Sequence, residues 1–221
     1  MVGTSSNCLA NWFSIYLVGE RRRRSLAFSI HCLFQGHHMA SVYSDDFTPP
    51  LTSSWSWLRE DPDLWRIDNG GLEICVQPGK ADTVFNALLR DAPDRQEAGY
   101  AIEVTVFNHT RPAEQYEQAG ITWYVDGKPV FKLVKELIDG DLYIIPGKCP
   151  MPTQSVRLRL IVTADTWEAQ FRPEGASDYA TAATGELPKA GHDQVSLQCY
   201  NGPEGSDHWI RFEDFQITKL G

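Results

Sequence analysis

Residues 100–106 read Tyr-Ala-Ile-Glu-Val-Thr-Val. Tyr100, Ile102, Val104 and Val106 recur with period two and leave Glu103 and Thr105 opposite, which describes a strand with one core face and one wet face. The alternation returns in Val156, Leu158, Leu160 and Val162 against Arg157 and Arg159, and in Trp167, Ala169 and Phe171 against Glu168 and Gln170. Asp68-Asn69-Gly70-Gly71 predicts a hairpin between residues 64–67 and 72–77, and Asp126-Gly127 and Asp139-Gly140 bound another strand. Further strands are expected at 84–90, 142–145, 195–200 and 209–218. A dozen or so short strands without an amphipathic helix predict an all-β sandwich or barrel.

The chain has 221 residues, 42% of them hydrophobic, 11% aromatic and 22% charged. That supports one domain with an ordinary core and does not match a disordered composition. The net charge of -9 is uneven: the first 38 residues carry Arg21 to Arg24 against Glu20, about +3, which leaves about -12 on the rest. An acidic body argues against nucleic acid, whose binding needs a basic surface that releases counterions. Cys8, Cys32, Cys75, Cys149 and Cys199 are odd in number, widely spaced and without a CxxC pair, which fits thiols in a reducing, cytoplasmic setting better than a disulfide framework or a zinc site.

Residues 1–41 differ in kind. The apolar run from Leu9 to Val18 is too short to span a membrane, and its basic cluster follows it rather than preceding it as in a secretory signal. No membrane role is expected. An Arg-rich, acid-poor leader is compatible with a mitochondrial presequence. Met39-Ala40-Ser41 offers a simpler account, in which Met39 is the natural start and residues 1–41 are a disordered or non-native extension to a domain at 42–221.

Three strands carry more polar groups than a core partner needs. In residues 131–137, Phe131, Leu133 and Leu137 mark the core side, interrupted by Lys135, while Lys132, Val134 and Glu136 share the other. Ala119, Ile121, Trp123 and Val125 leave Gln118, Thr122 and Tyr124 together, and Val195, Leu197 and Cys199 leave Ser196, Gln198 and Tyr200. Asn86, Leu88 and Arg90 form a comparable set. In one sheet these strands would expose Asn86, Arg90, Gln118, Tyr124, Lys132, Glu136, Gln198 and Tyr200. Amides and charges there would hydrogen-bond a polyhydroxylated ligand while aromatic rings stack on it. The plain alternative is a solvated sheet face whose opposite charges stabilise it modestly. Trp55, Trp57 and Trp65 cluster nearby; they cap the core or border that face.

Asp45-Asp46-Phe47, Trp55-Ser56-Trp57-Leu58-Arg59-Glu60, Gly71-Leu72-Glu73-Ile74, Gln118-Ala119-Gly120-Ile121, Phe131-Lys132-Leu133-Val134-Lys135-Glu136 and Phe212-Glu213-Asp214-Phe215, in this order, resemble the concanavalin A-like domains of the DUF1349 group. That group includes the fungal regulation-of-enolase protein and is similar to the C-terminal domain of some family 43 glycoside hydrolases. The resemblance covers nearly all of residues 42–219. It implies a two-sheet antiparallel jelly roll whose concave face holds the polar row, and in the wider superfamily such faces bind glycans. It also marks Trp57, Arg59, Glu60, Lys132, Lys135 and Glu136 as positions matching the group's motifs.

The expected function is therefore binding of a sugar-like small molecule or oligosaccharide. Two rivals use the same surface: a small carbohydrate-active enzyme, and a regulatory protein that contacts a metabolic protein partner. The superfamily's glucanase pattern of two glutamates around an aspartate on one strand is missing. A hydrolase would have to pair carboxyls from separate strands, such as Glu136 with Glu60. A lyase or isomerase would use Tyr124 or a lysine as base, with Arg90 neutralising an acid. His192 and His208 have no triad or metal spacing. No cofactor is expected; Asp45, Asp46 and Asp214 would supply oxygens for a structural calcium if the terminal strands pair, and are otherwise ordinary turn residues.

Overall fold

The computed structural model describes residues 40–205 and 207–221; the leader expectations for 1–39 lie outside them. The strands are β1 (Ala40–Asp45), β2 (Ser56–Leu58), β3 (Trp65–Asp68), β4 (Gly71–Cys75), β5 (Ala87–Asp91), β6 (Tyr100–Asn108), β7 (Gln118–Val125) and β8 (Lys128–Ile138). They continue as β9 (Asp141–Ile145), β10 (Cys149–Pro150), β11 (Ser155–Val162), β12 (Thr166–Pro173), β13 (Ala180–Glu186), β14 (Asp193–Tyr200) and β15 (Trp209–Lys219). β1 opens two residues before the boundary drawn from sequence. The helical element among the described residues is a single 3-10 turn, Pro62–Leu64.

Two antiparallel sheets form a concanavalin A-like jelly-roll sandwich. The larger runs β13-β12-β11-β6-β15-β4-β3 with β1 also on β15, and the smaller runs β10-β9-β8-β7-β14-β5-β2. The core between them uses the alternation read above: Ile102, Val104, Val106, Leu158 and Phe212 from one sheet meet Ile121, Trp123, Leu133 and Leu197 from the other. A bulge between Glu213 and Gln216, with Asp214 at φ 51°, breaks the period and turns both Phe212 and Phe215 inward. A strict alternation would have sent one of them outward.

The terminal strands do pair, Asp45 opposite Phe215. The Asp45 carboxylate is taken by internal donors: the Phe47 amide at 2.8 Å, the Tyr43 hydroxyl at 2.7 Å and the Trp55 indole at 2.8 Å. Asp214 is exposed and lies 3.9 Å from Arg157. Among the described residues, no group of three or more His, Cys, Asp and Glu side chains is placed to hold a metal ion. No described helix is long and apolar enough to cross a membrane.

Gly120 lies in the middle of β7 at φ +155°, and a Cβ there would stand 2.3 Å from the Leu133 carbonyl and 2.8 Å from Val134 Cα. Gly127, at φ +73°, has open space around it. Gly120→Ala is therefore expected to destabilise the domain by about 3 kcal/mol through backbone overlap, and Gly127→Ala by only about 1 kcal/mol through conformation alone. Urea midpoints at unchanged slope would check the contrast, and equal losses would contradict the close packing of β7 on β8.

Candidate functional site

The two outer faces differ in how their charges are satisfied. On the larger sheet, Glu73 receives Arg66 at 2.7 Å, His109 at 2.8 Å and Arg211 at 3.3 Å, while Glu103 receives Arg159 at 2.7 Å and the Tyr179 hydroxyl. Burial raises both carboxyls, yet these donors outweigh it and hold both below the usual range. These two carboxylates are satisfied within that face.

On the smaller sheet, register brings the expected residues of the three central strands together: Gln118 lies opposite Glu136 and Tyr200, and Thr122 opposite Lys132 and Ser196. The Lys132 ammonium donates to Gln118 Oε1 at 2.7 Å and Glu136 Oε2 at 2.9 Å, and the Gln118 amide donates to the Tyr116 carbonyl at 2.8 Å. Tyr124 donates to the Ala81 carbonyl at 2.8 Å and lies 3.0 Å from Gln198 Oε1, which also accepts from Ser196.

This face is not the open surface that alternation suggested. The connection 76–86 from β4 to β5 covers part of it: Val84, with Ala81 beside it, packs on Ala87, Leu89, Tyr124 and Tyr200 in a second apolar cluster. Gln198 and Ser196 are fully buried and Thr122 is 1% exposed, whereas the Lys132 side chain remains 33% exposed. Three buried polar atoms here lack a partner: Thr122 Oγ1, Gln198 Nε2 and Arg59 Nη2. Beside the covering loop a cleft of about 260 Å³ remains, lined by Ala81, Thr122, Pro129, Val130, Phe131 and Lys132.

Several expected members stand elsewhere. Arg90 pairs with Val195 and so shares the core side with Leu88. Its guanidinium lies 3.3 Å from the centre of the Tyr43 ring and 5.3 Å from that of Trp55. Both sides of this strand are apolar, Leu88 toward the core and Ala87 and Leu89 under the covering connection, so alternation did not tell which side Arg90 takes. Trp57, opposite Leu88, also faces inward and stacks on Trp65 at 4.7 Å. Asn86 clamps the Asp61 backbone through both ends of its amide, at 2.7 and 3.1 Å. Arg59 reaches the polar face from its edge, donating to the Val84 carbonyl at 2.6 Å and standing beside Tyr124.

Lys135 points into the core side, 2% exposed, where it donates to the carbonyls of Thr153 and Gln154. A buried ammonium without a carboxylate is costly, and burial pulls its pKa down from 10.5 to about 7.

Two of the expected catalytic pairings, Glu136 with Glu60 and Tyr124 with Arg90, are not assembled. The carboxylate of Glu60 accepts from the Trp65 indole at 3.1 Å beyond β2, four strand spacings or about 19 Å of sheet from β8, too far for a glycosidase carboxyl pair. Burial raises the Tyr124 phenol despite Arg59 and Gln198, the wrong direction for a base, and Arg90 lies on the other face. Burial, then Glu136, Tyr124 and Asp82, push the Tyr200 phenol up as well. Asp82 had no signal in the strand pattern, because it belongs to the covering loop.

No family model and no curated protein matches the sequence. Solved structures share the fold. A Bacteroides ovatus xyloglucan PUL GH43B protein matches with TM-score 0.63 and 18% identity, over 80% of this chain and 39% of its own. A Bacillus halodurans xylan β-1,4-xylosidase matches at 0.60 and 16%, over 79% and 38%. A functionally unknown Saccharomyces cerevisiae protein matches at 0.54 and 16%, over 76% of this chain and 98% of its own. The chain thus spans well under half the length of the first two and nearly all of the third.

The buried Lys135 sets a pH dependence. The unfolded chain keeps the proton up to about pH 10.5 while the folded one releases it near 7, so stability rises with pH between these values. From pH 7 to 9 the native protein is expected to gain about 2 kcal/mol relative to Lys135→Met. Denaturant curves at the two pH values would show it, and parallel behaviour would mean that the lysine is hydrated in the folded state.

Proposed function

We propose that this domain binds a carbohydrate in the cleft between Ala81 and Val130. The observation that carries the reading is the Thr122 hydroxyl, buried without a partner in the cleft floor beside the Lys132–Glu136–Gln118 network. A buried orphan hydroxyl costs free energy unless water or a ligand satisfies it. Lys132 donates and Glu136 accepts, the two functions a sugar hydroxyl needs, and Pro129, Val130 and Phe131 offer an apolar wall to the ring's C–H face. The fold shared with proteins named for xylan and xyloglucan supports the same reading. A binding role is preferred because Glu136 and Glu60, and Tyr124 and Arg90, are not brought together.

Calorimetric titration of the full chain with xylo- and gluco-oligosaccharides and oligouronates would test it, with the same samples assayed for new reducing or unsaturated ends. Glu136→Gln is expected to weaken binding about tenfold, near 1.4 kcal/mol. Thr122→Val is expected to weaken it similarly while leaving the fold equally or more stable, because the orphan hydroxyl is gone. Binding with product formation would restore the enzymatic rival, and no heat with any sugar would turn the reading toward a protein partner.

A further inference from the structure

We infer that the cleft takes one end of a glycan chain and not a run of internal residues, an inference that rests on the carbohydrate reading. A ligand lying across the strands would cross β8, β7, β14 and β5 in turn. Beyond β7 that path is closed. Ser196 and Gln198 of β14 have no exposure, and Val84 and Ala81 pack over Tyr124, Tyr200 and Leu89. The Tyr124 hydroxyl ties this cover down at the Ala81 carbonyl.

Along the strands the cleft is walled at one end, where Pro129 and Val130 stand at the register shift between Trp123 and Tyr124. A polymer threading a groove needs an entrance and an exit, and this cleft abuts the covering loop. Its volume of about 260 Å³ falls below the roughly 300–1,000 Å³ of pockets that enclose a drug-sized ligand, and suits a single ring. Thr122 then meets that ring from below and Lys132 from its open side.

The test compares xylo- and gluco-oligosaccharides from dimer to hexamer, and the parent polymers before and after partial hydrolysis, by calorimetry on the full chain. Terminal recognition is expected to keep affinity within about threefold across the series, and the binding capacity of a polymer should grow with the ends released. Affinity that climbs more than about tenfold with length, or capacity that follows mass instead of ends, would overturn the inference and leave carbohydrate binding intact. Ala81→Trp, which fills the cleft from the loop side, should abolish binding of every length without lowering the melting temperature. Retained binding in that variant would place the sugar outside this cleft and overturn the inference together with the site proposed above, while sugar binding itself would stand. Absence of heat with every oligosaccharide would remove the carbohydrate reading itself.

Discussion

A loop placed over a polar sheet face excludes water from it, and the arrangement of the candidate site follows from that exclusion. Val84 and Ala81 lie on Tyr124, Tyr200 and Leu89, so the side chains beneath must bond to one another or go without partners. Beside the cover, Lys132, Glu136 and Gln118 close a network at 2.7 to 2.9 Å. Thr122 and Gln198 meet that demand only in part. The cleft lies where the cover ends and satisfaction is incomplete, which is also where a hydroxyl-rich ligand would add most.

The inner face shows the same economy with charges. Lys135 and Arg90 both lie on the core side of their strands, yet neither is fully surrounded by hydrocarbon. Lys135 ends on two carbonyls of the turn before β11, and Arg90 spreads its guanidinium over the Tyr43 ring. Main-chain oxygens and aromatic faces are weaker partners for a cation than a carboxylate, which is why burial dominates both groups and lowers both pKa values. Asp45 is the opposite case, a carboxylate whose four internal donors bind β1, the following turn and Trp55 into one corner of the sandwich.

Much of the architecture was legible without coordinates. The period-two segments at 100–106, 156–162 and 195–200 stand as strands with the expected inner faces, because side-chain parity is a local property of an extended backbone. Parity also brought Gln118, Tyr124, Lys132, Glu136, Gln198 and Tyr200 to one surface. It failed at Arg90, where apolar residues stand on both sides of β5 and one side is covered by a distant loop, and it left open the side taken by Trp57, which packs on the core.

What the sequence by itself determined was which residues alternate, where turns interrupt them, and hence an all-β sandwich or barrel with one polar-rich face. Only the tertiary structure decided that this face is roofed by residues 76–86, that Glu60 and Glu136 stand apart, and that a small cleft survives beside Thr122. The reason is physical: alternation is written by adjacent bonds, whereas covering, pairing distance and cavity shape arise between segments far apart along the chain, which no local pattern encodes.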